Sequence, residues 1–425
     1  MKLLIKNATV CTGVGKAFTG SLLIEDGKIA KIAPVELKVE GAEVYDARGL
    51  LVAPGFIDVH VHFRDPGYEY KEDIVSGLTA AAAGGFTAVC TMPNTNPPCD
   101  TIGVIEYQKK KSREQGNGVR LFPIGAATKG LKGETMAPIG ELREGGAVAI
   151  SDDGKPIQDS SLLMRVMQYA SSFGLTYAAH AEDIYLSRGG QMNEGFFSTL
   201  YGLPGIPAVG EAISVARECL MAEYLGLPVH ICHVSTKASC EIIAFFKARG
   251  VKVTAETAPH YLLLTDEALG SYDPNTKVNP PLRSEEDRAA VTEAVKNGTI
   301  DAIATDHAPH HERDKNLEFN AAASGIVGLE TAVALTLKFV HENKISLERF
   351  VEVFTAGYRI FGIPGGTLVE GGSADITIID PTYQWTIDKN MFLSKGRNTP
   401  FHGFHVKGAV VRTIVAGVTV YTKPY

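Results

Sequence analysis

The sequence predicts a (β/α)8 TIM-like barrel with a small β-sandwich domain built from both chain ends. Three observations carry this expectation. Across roughly 250 residues in the middle of the chain, strand-like apolar runs alternate with helix-like segments, as in a parallel barrel. The two ends read instead as short aliphatic and β-branched strands separated by turn signals. Six metal-capable side chains each fall at the end of a middle run, where barrel active sites lie. The expected organisation is 1–52 and 367–425 for the small β-domain and 53–366 for the barrel. The chain's 425 residues suffice for a large barrel and a satellite.

The elements follow in order. LLIKNATVCT, SLLIEDGKIAKIAP and AEVYDARGLLV supply the first strands, and Asp26-Gly27 marks a tight hairpin within the second run. Eight barrel strands are expected: FIDVHVH, FTAVCTMP, RLFPIGAA, AVAISDD, TYAAHAE, PVHICHVS, KVTAETAPH and DAIATDHAP. GLTAAAAGG and GEAISVARECLMAEYLG read as intervening helices. SEEDRAAVTEAVKNG is another, with Ser284 as N-cap and Gly298 as C-cap. ADITIID and GAVVRTIVAGVTVY return to the β pattern. Gly13-Val14-Gly15-Lys16 lacks the first Gly and the Ser/Thr of a phosphate loop and is set aside.

Composition narrows the function. Hydrophobic residues make up 45%, and 41 basic against 48 acidic residues give a net charge of −7. That balance, with no basic cluster beyond Lys109–Lys111, argues against nucleic-acid binding. Six scattered cysteines without a CxxC pair fit a reducing compartment. The start MKLLIKNATV has no apolar signal region, and no run approaches the roughly 18 apolar residues of a membrane span. A cytoplasmic enzyme is expected, with no membrane or nucleic-acid partner.

The six metal-capable residues are His60, His62, Asp152, His180, His233 and Asp306. His60 and His62, two apart on a strand, point to one face. Such a His/carboxylate set suits Zn²⁺ or a similar borderline cation, which favours metal-assisted hydrolysis. Taken alone, Asp152 reads equally well as a turn residue, and His180 as an ordinary core or surface histidine. His230 rivals His233; the two differ by three and should face opposite sides of a strand. His260 has no assigned role beyond a structural one. The polar stretch 310–324 is expected to close over a ligand.

HVHFRDPG at His60–Gly67, TMPNTNPP at Thr91–Pro98, SDDG at Ser151–Gly154 and TDHAPH at Thr305–His310 resemble the bacterial type I dihydroorotase family of the amidohydrolase superfamily. GIVGLET at Gly325–Thr331 and NTPFHG at Asn398–Gly403 extend the resemblance over nearly the whole chain. The resemblance implies zinc-dependent, reversible cyclisation of N-carbamoyl-L-aspartate to L-dihydroorotate in pyrimidine synthesis. It implies two Zn²⁺ sites: His60, His62 and Asp306 at the first, His180 and His233 at the second, and Asp152 shared between them. Asp153 competes for that bridging role, which many amidohydrolases give to a carboxylated lysine. Arg64, Asn94 and Asn279 match substrate-holding residues, as do His310, Ser324 and Gly325. Arg64 suits that task chemically, because its planar fork pairs with a carboxylate. Asp306 is implied as the catalytic proton carrier.

A homodimer is the default assembly, and the resemblance adds association with an aspartate transcarbamoylase. The rival functions are an allantoinase- or hydantoinase-type cyclic amidohydrolase, which would not need Arg64, and a catalytically weak homologue supporting a transcarbamoylase.

Overall fold

The computed structural model describes residues 2–424. Eight parallel strands form the barrel: Phe56–Val61, Phe86–Thr91, Arg120–Ala126, Ala149–Ser151, Thr176–Ala179, Val229–Ile231, Val253–Thr257 and Ala302–Ile303. Each pairs with the next in chain order. All eight predicted runs contain one. The ring is drawn together between its last and first strands. Val61 bridges His307, and the His62 N–H donates to the His307 carbonyl at 2.8 Å. The buried Asp58 carboxylate reinforces this seam by accepting from Thr305 N and, at 2.6 Å, from Thr305 Oγ1.

Two strands are shorter than their apolar runs, for a local reason. His233 has φ 35° and Asp306 has φ 47°, a left-handed backbone that ends β pairing. The chain turns sharply where these side chains enter the barrel mouth.

Local chemistry explains the helices. Asp73 caps Ile74–Ala83 in a reciprocal capping box with Ser76. Ser284 caps Glu285–Asn297, and Gly298 closes that helix at φ 87°, as the sequence predicts. Helix Leu347–Ile360 buries Phe350 and Phe354 against Phe56 of the first strand. The Phe56 and Phe354 rings stack at 4.9 Å, and both are fully buried. Burial of each side chain contributes about 1.5–3 kcal/mol.

The strands of the chain ends form one further eight-stranded sheet. Leu51–Pro54, just before the barrel, pairs with Ile376–Ile379 and with Thr9–Val10, which stitches the termini together. Asp26 (φ 48°) and Gly27 (φ 79°) make the predicted tight hairpin. That turn packs against Ala416 and Gly417 of the last hairpin, so the sheet curls around a core including Ile5, Leu22, Ile376 and Ile414. All six cysteines are free and buried. Among the described residues, no helix is long and apolar enough to cross a membrane.

Candidate active site

Four histidines converge at the C-terminal mouth of the barrel, and the far nitrogens of three are fixed by acceptors. His60 Nδ1 lies 2.7 Å from Glu256 Oε1. His62 Nδ1 lies 2.8 Å from Asn94 Oδ1. His180 Nε2 lies 2.8 Å from Glu182 Oε2. A carboxylate can only accept, so His60 and His180 donate from these nitrogens; the pairing with Asn94 assigns His62 the same way. In the neutral form of each ring the other nitrogen carries a lone pair, and these nitrogens point at one another and at two carboxylates. His60 Nε2 is 3.4 Å from Asp153 Oδ1 and 3.5 Å from Asp306 Oδ1. His62 Nε2 is 3.1 Å from Asp306 Oδ1, and His180 Nδ1 is 2.9 Å from His233 Nε2.

This is a knot of acceptors. His60 Nε2 and Asp153 Oδ1 are buried with no hydrogen-bond partner. Buried lone pairs left unmatched are costly, and a cation is what such a cluster fits. The ligand atoms of His60, Asp153 and His233 lie within 4.8 Å of one another, as do those of His60, His62 and Asp306. Nitrogen and carboxylate donors in this number suit zinc chemistry.

The cluster corrects one expectation. Asp152 was expected as the shared carboxylate, but it turns away. Its oxygens accept from Ala127 N at 2.8 Å, Thr128 N at 2.9 Å and the Thr128 hydroxyl. Burial pushes its carboxyl up to about 6, against those hydrogen bonds. Asp153 occupies the centre instead, 3.4–3.6 Å from His60, His62, His180 and His233. The resemblance had put Asp152 there with Asp153 as competitor; strand pairing ends at Ser151, so alternation does not extend to either aspartate. His230 also departs from expectation. The left-handed turn at His233 breaks the alternation, and His230 instead supports Glu256 with Nε2 at 3.0 Å.

Beside the cluster lies a pocket of about 220 Å³, lined by Arg64, Asn94, Asn279, His310, Ser324 and Gly325, all six expected binding residues. Arg64 (φ 60°) leaves the first strand in a left-handed turn, and its Nε donates to the Pro309 carbonyl at 3.3 Å. Asn94 also donates to Asp153 Oδ2 at 3.3 Å, and Asn279 to Glu182 Oε2 at 3.2 Å. The Gly325 N–H is taken by the Lys277 carbonyl. A Cβ at Gly325 would lie 2.7 Å from the Ala308 carbonyl oxygen, so glycine permits the close approach to His310. Burial, with the cations of Arg64 and Lys71, pushes His310 down to about 2, so its ring is neutral.

The stretch 310–324 lines this pocket with its two end residues, His310 and Ser324, and is held by buried ammonium groups. Lys315 donates to the carbonyls of Ala323 (2.7 Å) and Gly325 (3.1 Å). Lys277 donates to those of Phe319 (2.8 Å) and Asn320 (3.0 Å).

Sequence reasoning missed several supporting residues. Glu256, Glu182 and Lys71 were not singled out, nor was Asn398, whose amide bonds Ala308 O, Gly325 O and His310 N at 2.9 Å each. Glu256 carried a usable signal, as the one carboxylate inside the run KVTAETAPH. His260 is buried with Nε2 unpartnered, and burial pushes it down to about 4.

Known proteins resemble the chain in sequence and in fold. The family described as dihydro-orotase-like matches residues 49–239. A dihydroorotase of Geobacter metallireducens is 52% identical over 403 residues, 95% of each chain. One from Trichlorobacter lovleyi is 48% identical over 424 residues, 99% of this chain and 100% of that one. Among solved structures, an L-hydantoinase (dihydropyrimidinase) from Arthrobacter aurescens superposes with TM-score 0.89 at 28% identity, covering 100% of this chain and 96% of that one. A dihydropyrimidinase from Brevibacillus agri gives TM-score 0.86 at 25% identity, covering 99% and 95%.

Proposed function

The chain belongs to the dihydroorotase family, and on that premise we propose that His60, His62, Asp153, His180, His233 and Asp306 hold the metal of its cyclic amidohydrolase site. The enzyme is a dihydroorotase, interconverting N-carbamoyl-L-aspartate and L-dihydroorotate in pyrimidine biosynthesis. The observation that carries the metal assignment is the convergence of lone pairs from ring nitrogens whose opposite nitrogens are fixed. Zn²⁺ at two positions is our reading. His60, His62 and Asp306 serve one, His180 and His233 the other, and Asp153 lies between. Bound zinc would polarise the ring amide carbonyl and lower the pKa of water.

The chain's own groups do the rest. Arg64 and His310 receive the ring carboxylate, which sets the scissile amide beside the cluster. Asn94 and Asn279 orient the ring, while Ser324 and Gly325 form its backbone wall. In the hydrolytic direction Asp306 accepts the proton of the attacking water and returns it to the departing ring nitrogen. Cyclisation reverses these transfers, and there the pocket acts by holding the carbamoyl nitrogen against the side-chain carboxyl. A volume of about 220 Å³ supports a single small ring as ligand.

A hydantoinase-type specificity is the second reading, favoured by the structural neighbours. Arg64 at the pocket supports the carboxylated ring instead. Steady-state turnover of dihydroorotate, dihydrouracil, hydantoin and allantoin tests this. Preference for dihydroorotate is expected, and faster turnover of hydantoin would overturn the carboxylate assignment.

We propose a cytoplasmic homodimer. Six free cysteines support the compartment. An outward apolar stripe on helix Val209–Leu225, comprising Val209, Ile213, Leu220 and Tyr224, supports self-association. Association with an aspartate transcarbamoylase is a further proposal, resting on the resemblance alone.

A further inference from the structure

We propose that Lys71 is a positioning residue that locks the proton of His310 onto Nε2, so that His310 and Arg64 offer converging N–H donors to the substrate carboxylate. The second half rests on the reading above, in which those two residues receive the carboxylate.

The argument begins with donors and acceptors. Lys71 Nζ lies 3.2 Å from His310 Nδ1. An ammonium has three donors and no acceptor, so Nδ1 must present its lone pair. A neutral imidazole then carries its hydrogen on Nε2. The far side of the ring agrees, because His310 Nε2 is 2.9 Å from the Ser324 carbonyl, which can only accept. The ring is kept neutral by burial and by three neighbouring cations, Arg64, Lys71 and Lys315.

Geometry then gives the lock a purpose. Arg64 Nη2 is 3.4 Å from His310 Nε2. With Nε2 protonated, this is a contact between two donors, not a hydrogen bond. Two donors held side by side at a pocket wall suit an anion, which takes the Nε2 hydrogen in place of the Ser324 carbonyl. The opposite tautomer would put a lone pair there and repel a carboxylate. Lys71 is itself held in place. Its side chain is 16% exposed, and Nζ is 3.2 Å from Asp314 Oδ2. Lys71 does not line the pocket, so it acts on substrate only through His310.

The test uses zinc-loaded protein with ¹⁵N-labelled histidine. Two-bond ¹⁵N–¹H correlations distinguish the tautomers, and His310→Gln identifies the ring by its loss. The Nε2–H pattern is expected in the native protein. In Lys71→Met, an Nδ1–H population should emerge, and Lys71→Arg, which keeps a donor, should restore the native pattern. KM for dihydroorotate should rise roughly tenfold in Lys71→Met, with a smaller change in kcat and little effect on dihydrouracil. An Nδ1–H ring in the native protein, or a pure Nε2–H ring in Lys71→Met, overturns the lock. A changed tautomer with unchanged KM for dihydroorotate overturns the carboxylate role of Arg64 and His310 instead.

Discussion

Glu256 Oε1 sits 2.7 Å from His60 Nδ1, while the opposite ring nitrogen faces Asp153 and Asp306 at 3.4 and 3.5 Å. A buried carboxylate therefore orients the first histidine of the candidate metal site. Despite burial, hydrogen bonds from His230 and His60 hold its carboxyl down to about 2. Replacing such a partner typically costs 10–100-fold in metal affinity. Glu256→Gln should weaken zinc binding by about that factor, read by competition with a chromogenic chelator. Native affinity in this variant would remove Glu256 from the site.

The two aspartates of SDDG have different jobs and should fail differently. Asp153→Asn should lose zinc and nearly all turnover, because its oxygens face four histidines. Asp152→Asn should keep its zinc but lose about 1–3 kcal/mol of stability, because its oxygens satisfy the backbone at Ala127 and Thr128. Metal content and thermal midpoints of the two variants decide the matter. The reverse pattern would return the bridging role to Asp152.

Lys315 holds the end of the 310–324 stretch through the carbonyls of Ala323 and Gly325. Lys315→Met keeps the length of the stem but leaves those carbonyls unpaired. Amide exchange should quicken across 311–325, and KM for dihydroorotate should rise while zinc content stays native. Unchanged exchange there would show that the segment is held by other contacts.

Phe354 tests the barrel core rather than the chemistry. Its ring stacks on Phe56 and meets Phe86 and Phe350 edge-on. Phe354→Ala should cost about 3–5 kcal/mol and lower the thermal midpoint at a fixed scan rate. Zinc affinity at low temperature should stay near native, since helix Leu347–Ile360 contributes no candidate ligand. An unchanged midpoint would mean that the ring cluster is not a principal support of the barrel.

Patterns short enough to read along the chain were legible in it. The eight apolar runs, the Asp26-Gly27 hairpin and the Ser284 and Gly298 caps each depend on neighbours in sequence. So did the ring positions of His60, within the first strand, and His62, one residue past its end. Legibility failed where regular backbone stops. Beyond Ser151, alternation no longer says which aspartate turns inward, and the left-handed turn at His233 cancels the expected opposition with His230. It failed again for partners brought together by the closed barrel. Glu256 and His60 are 196 residues apart, and Lys71 and His310 are 239 apart. No local pattern signals such a pair.

Six side chains, Asp153 and the five around it, are proposed to hold the metal on which turnover depends. Zinc titration of chelator-treated protein, with dihydroorotate turnover followed at each addition, tests this most directly. Turnover should be negligible without metal and should rise with added zinc, levelling off by about two equivalents per chain. His60→Ala, titrated alongside, should not recover. Full turnover by the metal-free protein, or native recovery by His60→Ala, would contradict the account.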